Sequence, residues 1–127
     1  MFNRIEHVEI VSSNMERTLN FYTEILGFKI QTRRKVEGTP LEEVAFIELG
    51  GTLIEVFAVK DPAPVSTEQW RIGYRRIAIV LEDMDEAIAY LKGKGVQISQ
   101  EPTVTAAAVM AEIKDPDGIA IQLIKRN

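Results

Sequence analysis

Apolar and polar positions follow two different periods along this chain, and the change from one to the other predicts the first two elements. Val8 and Ile10 alternate with polar residues as in a strand, and after Asn14 the apolar positions lie three or four residues apart. Asn14 is therefore the expected N-cap of a helix. The apolar stripe of this helix comprises Met15, Leu19, Tyr22 and Leu26, and Gly27 is expected to end it.

The same pattern occurs a second time, which indicates an internal repeat. Residues 76–90 align without a gap with residues 7–21, and apolar positions coincide throughout. Asp83 takes the N-cap position of the second helix, and Glu86 three residues later adds a capping box. Either Gly93 or Gly95 ends this helix.

Three extended segments separated by turns follow each helix. They cover residues 28–34, 42–49 and 52–59 in the first half, and residues 96–102, 106–114 and 119–125 in the second. Each half is therefore predicted as βαβββ, so the fold class is α+β with two modules in tandem. Neither half buries both faces of its sheet alone, so we expect two curved mixed sheets that pack together and form a cup.

These modules are expected to form a single domain. Module 1 covers about 1–60, a linker rich in turn-forming residues covers about 61–73, and module 2 covers about 74–127. Strand alternation then predicts which side chains line the cup. The four residues at matching strand positions are His7, Glu55, Arg76 and Gln122.

Two further residues are candidates for ligand contact. Phe57 shares the face of Glu55 by alternation and offers an apolar pocket wall. Glu112 either lines the cup or, if its strand is at the edge of the sheet, faces solvent. Glu55 lies between Ile54 and Val56 and needs a partner there, and we expect Arg76 to supply it as a carboxylate–guanidinium pair.

Composition narrows the function classes. The chain has 127 residues with no Cys, which excludes thiol nucleophiles and thiolate metal sites. Its formal net charge of -4 predicts no nucleic-acid partner, and no apolar run is long enough to span a membrane. The start of the sequence has charges where a signal peptide is apolar, so we expect a cytoplasmic protein whose partner is a small molecule.

At this point the sequence resembles the vicinal oxygen chelate superfamily, the fold of glyoxalase I, methylmalonyl-CoA epimerase, extradiol dioxygenases and bleomycin-resistance proteins. The resemblance covers nearly the whole chain. Its most specific parts are FYTEILGF at residues 21–28 and DPDGIAIQLIK at residues 115–125. Within this superfamily the fold is a glyoxalase/bleomycin-resistance-like pair of modules, and members are expected to form homodimers.

The resemblance also implies a divalent metal held by four side chains, one from the first and one from the last strand of each module. His7 and Glu55 match that pattern, whereas Arg76 stands where a His is expected and Gln122 where a Glu is expected. A guanidinium has no lone pair to donate. At about 4 Å and an effective dielectric of about 20, it repels a divalent ion by on the order of 8 kcal/mol.

Three functions follow from this degenerate site. The first is binding of a small organic anion against Arg76, with no cofactor and with His7 and Gln122 as polar contacts. The second is a metal-dependent lyase or isomerase of the lactoylglutathione lyase or methylmalonyl-CoA epimerase type, with Ni, Co, Zn, Mn or Fe on His7 and Glu55. The third is a sequestering protein of the bleomycin-resistance type. Whether catalysis occurs is left open, and Glu55 is the candidate base.

Overall fold

The computed structural model describes residues 1–38 and 40–127, which divide into two compact units, Met1–Pro64 and Val65–Asn127. The first unit runs from strand β1 into helix α1 and then through three more strands. The elements are β1 (His7–Ser12), α1 (Met15–Asn20), β2 (Lys29–Lys35), β3 (Leu41–Leu49) and β4 (Thr52–Val59). Its sheet has the order β1-β4-β3-β2, with β1 parallel to β4 and the other pairs antiparallel.

The second unit repeats this organisation. Its elements are β5 (Ile77–Val80), α2 (Met84–Gly93), β6 (Ile98–Val104), β7 (Ala108–Lys114) and β8 (Ala120–Arg126). The sheet order is β5-β8-β7-β6, and β5 is parallel to β8. The predicted fold class is confirmed: the chain has two βαβββ modules in tandem, each with a four-stranded mixed sheet.

Both helices begin at the predicted caps. The Asn14 side chain accepts a hydrogen bond from the backbone N–H of Arg17 at 3.0 Å, and the Asp83 side chain accepts one from that of Glu86 at 2.9 Å. Each cap satisfies a backbone donor that has no partner within its helix. β1 ends at Ser12, two residues before the first cap, and β5 ends at Val80, three residues before the second.

The first helix departs from the predicted regular form. Its α-helical part ends at Asn20, and residues Phe21–Ile25 form a π-helical turn. The Thr23 hydroxyl donates to the Leu19 carbonyl at 2.7 Å and so competes for the acceptor of an ordinary helical bond. The wider turn still directs the predicted stripe inward, since Met15, Leu19 and Tyr22 are buried.

Burial alternates along the central part of β4. In β4, Ile54 and Val56 are buried, whereas Glu55 and Phe57 on the other face are only partly exposed. One expectation is wrong: β7, which contains Glu112, lies between β8 and β6 and is not an edge strand. The Glu112 side chain is only 13% exposed, so it does not face open solvent. Among the described residues, no helix has the length and apolar character needed to cross a bilayer.

Candidate functional site

His7, at the start of β1, is the centre of a cluster of acidic side chains in the first unit. Its Nε2 atom lies 3.2 Å from Glu9 Oε2 and 3.4 Å from Glu55 Oε1, and its Nδ1 atom lies 3.4 Å from Glu6 Oε1. Glu9 is two residues further along β1 and therefore on the face of His7. The parallel register places Glu9 directly opposite Glu55 on β4.

Phe46 on β3 completes the surroundings of the imidazole. Its ring meets that of His7 edge to face, with centroids 5.3 Å apart and an interplanar angle of 82°. Phe46 pairs in register with Glu55, so three adjacent strands each contribute to the cluster. The aromatic contact restricts the orientation of the imidazole and keeps Nε2 directed at the two carboxylates.

The electrostatics of this cluster favour a cation. The hydrogen bond with Glu9 raises the pKa of His7 above 6.5; burial opposes the rise, and the charges of Glu6 and Glu55 add to it. Glu55 is the most enclosed of the carboxylates, with 14% of its side chain exposed against 59% for Glu9. The imidazolium charge compensates only part of the negative charge that the glutamates carry.

In the second unit, Arg76 forms an ion pair that differs from the predicted one. Its NH1 group donates to Glu112 Oε2 at 2.5 Å, and the two side chains are 16% and 13% exposed. Glu112 Oε1 accepts from the Ser99 hydroxyl at 2.7 Å and lies 3.4 Å from Lys114 Nζ. The expectation that Glu55 is the partner of Arg76 is therefore corrected to Glu112, an acid of the same module.

The three donors determine the protonation of Glu112. Burial acts to raise its pKa, but the hydrogen bonds from Ser99 and Arg76, together with the nearby Lys114, outweigh burial, so the pKa lies below its usual 4.5. Glu112 is therefore ionised at neutral pH. With Arg76 and Lys114 beside one carboxylate, this cluster has an excess of positive charge.

The remaining predicted site residues have weaker contacts. Gln122 pairs in register with Glu112 and donates from Nε2 to the Met110 sulfur at 3.3 Å. Phe57 is partly exposed on β4, on the face of Glu55, and pairs in register with Val11 of β1. Glu9 is not among the site residues that the sequence predicts. The signal that identifies Glu9 is the parallel register of β1 and β4.

The donor set of the first unit fits a divalent metal. His7, Glu9 and Glu55 each offer a ligand atom, and these atoms lie within 4.8 Å of one another. Neutral imidazole nitrogen and carboxylate oxygen are suitable ligands for Zn²⁺, Mn²⁺, Fe²⁺, Co²⁺ or Ni²⁺. Arg76 and Gln122 of the second unit do not extend this set, since a guanidinium has no lone pair and an amide has no charge.

The family model described as Glyoxalase/Bleomycin resistance protein/Dioxygenase superfamily matches residues 4–123, so the chain belongs to this superfamily. The lactoylglutathione lyase of Neisseria meningitidis is 30% identical over 131 residues, which cover 97% of this chain and 91% of that protein. The probable chloroplastic lactoylglutathione lyase of Arabidopsis thaliana is also 30% identical, over 97% of this chain. The chain spans only 36% of the length of that plant relative.

Solved structures give the same family. A glyoxalase family protein from Enterococcus faecalis superimposes with a TM-score of 0.85 at 28% identity, covering 97% of this chain and 98% of that one. Glyoxalase I from Leishmania major superimposes with a TM-score of 0.80 at 26% identity, covering 98% and 87%. The resemblance seen in the sequence is thus confirmed at the level of superfamily and fold.

Proposed function

We propose that this protein is a glyoxalase-like member of its superfamily that binds a small organic anion at Arg76. The observation that carries the proposal is the Arg76–Glu112 pair, in which a largely buried guanidinium holds a carboxylate of the chain itself. Ser99 and Lys114 also contact this carboxylate. The chain therefore contains a site built for a carboxylate group, occupied by Glu112.

An external anion reaches this site by competing with Glu112. A ligand carboxylate or phosphate can accept hydrogen bonds from the Arg76 guanidinium in place of Glu112, and Lys114 supplies a second positive charge. Gln122, opposite Glu112 in register, offers neutral polar contact to the rest of the ligand. This proposed mode needs no metal and no general base.

The test is calorimetric titration of the protein with pyruvate, lactate, malonate, inorganic phosphate and lactoylglutathione. Glu112→Gln removes the competing charge, so we expect affinity for the bound anion to rise about tenfold, as one charged hydrogen bond of about 1.5 kcal/mol predicts. Arg76→Met removes the guanidinium and should lower affinity at least tenfold. Arg34→Met, on the exposed strand β2, is the control for general loss of positive charge.

Two results contradict the proposal. One is that Arg76→Met retains full affinity for every anion that the unmodified protein binds. The other is that Arg34→Met and Arg76→Met weaken binding equally, which would assign the effect to net charge rather than to the site. Circular dichroism of each variant checks that the fold is retained.

A second candidate function, a metal-dependent lyase or isomerase, is supported by the cluster of His7, Glu9 and Glu55 and by the similarity to lactoylglutathione lyases. In this candidate these residues hold a divalent ion, whose chemistry would be stabilisation of negative charge on a substrate oxygen. Gln122 cannot abstract a proton, so a carboxylate such as Glu55 is the remaining base. Turnover of lactoylglutathione that is lost in Glu55→Gln would favour this candidate.

We further propose that the protein acts in the cytoplasm as a homodimer and that residues 61–73 link its two modules. The division between the two compact units, after Pro64, supports this linker.

A further inference from the structure

We propose that the anion bound at Arg76 is the dianion of a phosphomonoester, held by the Arg76 guanidinium, the Lys114 ammonium and the Ser99 hydroxyl. Because the proposal names the class of ligand for the anion site, it rests on the proposed function. Three features of the second unit support it: the number of donors around Glu112, the balance of charge there, and the neutral residues on the same face of the sheet.

Three donors from different parts of the second unit converge on one carboxylate. Arg76 donates from NH1 to Glu112 Oε2 at 2.5 Å. Glu112 Oε1 accepts from the Ser99 hydroxyl at 2.7 Å and also lies 3.4 Å from Lys114 Nζ, so these two donors share one oxygen. A carboxylate has only two oxygens, whereas a terminal phosphate group has three acceptor oxygens. A phosphate therefore offers each of the three donors an oxygen of its own.

The charges around this carboxylate favour a ligand with two negative charges. Arg76 and Lys114 carry one positive charge each, and Glu112 compensates only one of them. A monocarboxylate that displaces Glu112 replaces one negative charge by another, so the balance is unchanged. A phosphomonoester carries a charge of about −1.5 to −2 at pH 7 and compensates both cations. Their side chains are 16% and 29% exposed, so water and salt screen these charges less than at an open surface.

The neighbouring residues on this face of the sheet do not repel a dianion. Gln122 is in register with Glu112 on one side and with Ala78 on the other, and side chains paired in this way lie on one face. At the positions that match Ala78 and Gln122, the first module has Glu9 and Glu55. The second module thus has neutral residues where the first has carboxylates. Ala78 is also small and exposed, which leaves room beside the ion pair for a tetrahedral group.

Calorimetric titration with three small ligands separates charge from shape. The probes are methyl phosphate, which is a dianion at pH 8, methyl sulfate, a monoanion of the same tetrahedral shape, and acetate, a planar monoanion. We expect methyl phosphate to bind at least tenfold more tightly than methyl sulfate at pH 8. At pH 5 a phosphomonoester is chiefly a monoanion, because its second pKa is about 6, and the two affinities should then differ less than threefold. Methyl sulfate keeps its charge at both pH values and so reports any change in the protein itself.

Two variants test the donors individually. Lys114→Met removes the second positive charge and should weaken methyl phosphate binding at pH 8 at least tenfold, while the affinity for acetate changes less than threefold. Ser99→Ala removes one hydrogen bond to a charged group, so it should weaken methyl phosphate and methyl sulfate alike, by about tenfold. Lys92→Met is the matched control. It removes the same charge from a 54% exposed side chain of this unit that pairs with Glu101, and it should change each affinity less than threefold.

Methyl sulfate that binds as tightly as methyl phosphate at pH 8 would overturn the preference for a dianion. This comparison uses the unmodified protein, so it remains decisive even if a variant does not fold. Equal weakening by Lys92→Met and Lys114→Met would overturn the role of Lys114. If carboxylates alone bind, and lose affinity in Arg76→Met, the proposed function is supported and the assignment of a phosphomonoester is wrong. Absence of binding by every anion would contradict both.

Discussion

At the scale of single residues, the two modules differ at the position that Phe46 occupies in the first and Glu112 in the second. Phe46 pairs in register with Glu55 in the first module, and Glu112 pairs in register with Gln122 in the second. An aromatic ring packs against His7 in one case, and a carboxylate holds Arg76 in the other. Glu112 occupies in the second module the position that Phe46 has in the first. Its carboxylate compensates the charge of Arg76, which stands where the first module has His7.

Glu112 makes the stability of the protein depend on pH in a defined direction. Its lowered pKa means that the ionised form stabilises the fold above the ordinary carboxyl value of 4.5, and that this contribution is lost as the pH falls and Glu112 binds a proton. Glu112→Gln should therefore melt below the unmodified protein at pH 7, and the difference should shrink at lower pH. Thermal unfolding between pH 7 and pH 3 measures this.

Glu101→Gln is the control for this pH dependence. Glu101 pairs with Lys92 at 2.9 Å, but both side chains are more than half exposed. Surface pairs of this kind contribute little to stability. A pH profile of Glu101→Gln that matches that of Glu112→Gln would show that the effect comes from general charge, not from the Arg76–Glu112 pair.

At the scale of elements, local signals in the sequence were sufficient for most of the fold. Asn14 and Asp83 predicted both helix starts because a cap depends only on its neighbours in the chain. Alternation predicted the buried face of β4 for the same reason. The interior position of β7 could not be read in this way, since the order of strands depends on long-range pairing.

The candidate site was less predictable than the fold. His7 and Glu55 were identified from their place in the repeat and in the family pattern, and the structure brings them together. The predicted partner of Arg76, Glu55, was wrong. Repeat symmetry considers only residues at matching positions of the two modules, and Glu112 has no acidic counterpart in the first module. Glu9 was not selected because its importance depends on the register between β1 and β4.

Two glycines near the end of α2 should respond in opposite ways to replacement by alanine. Gly93 is the last helical residue, and Gly95 has a φ of 75°, which favours glycine. A Cβ atom at either position meets nothing within 4 Å, so only the backbone conformation distinguishes them. We expect Gly95→Ala to lower the free energy of unfolding by about 1 kcal/mol and Gly93→Ala to raise it by about 0.5 kcal/mol.

Denaturant titration of both glycine variants measures these changes. The sequence left open which glycine ends the helix, and the positive φ assigns the stop signal to Gly95. Destabilisation by Gly93→Ala equal to that by Gly95→Ala would contradict this assignment.

At the scale of the whole molecule, the two units have the same element order and opposite charge in their candidate sites. The first has Glu6, Glu9 and Glu55 around one imidazole, and the second has Arg76 and Lys114 around one carboxylate. A cation suits the first cluster and an anion suits the second. Differences at a few matching strand positions thus give the two modules clusters of opposite charge.

The segments before the first strand of each module expose large apolar side chains. These are Met1, Phe2 and Ile5 before β1, and Trp70, Ile72 and Tyr74 before β5, each at least 79% exposed. Exposed apolar surface of this kind favours association with another protein, and a symmetric pair of identical chains is the commonest result. We therefore expect a homodimer in which these segments are covered.

Light scattering at micromolar concentration should give a mass about twice the 14.3 kDa of one chain. Ile72→Glu places a charge in the apolar segment before β5 and should shift the mass toward one chain, because burying an unpaired carboxylate in an interface is costly. Val104→Glu is the matched control, since Val104 is a 77% exposed residue of β6 outside both segments.

The fluorescence of Trp70, the single Trp of the chain, adds a local readout. Its emission should move to longer wavelength on dilution if dissociation exposes the ring. A one-chain mass for the unmodified protein, or a shift by Val104→Glu as large as that by Ile72→Glu, would show that these segments do not form the dimer contact.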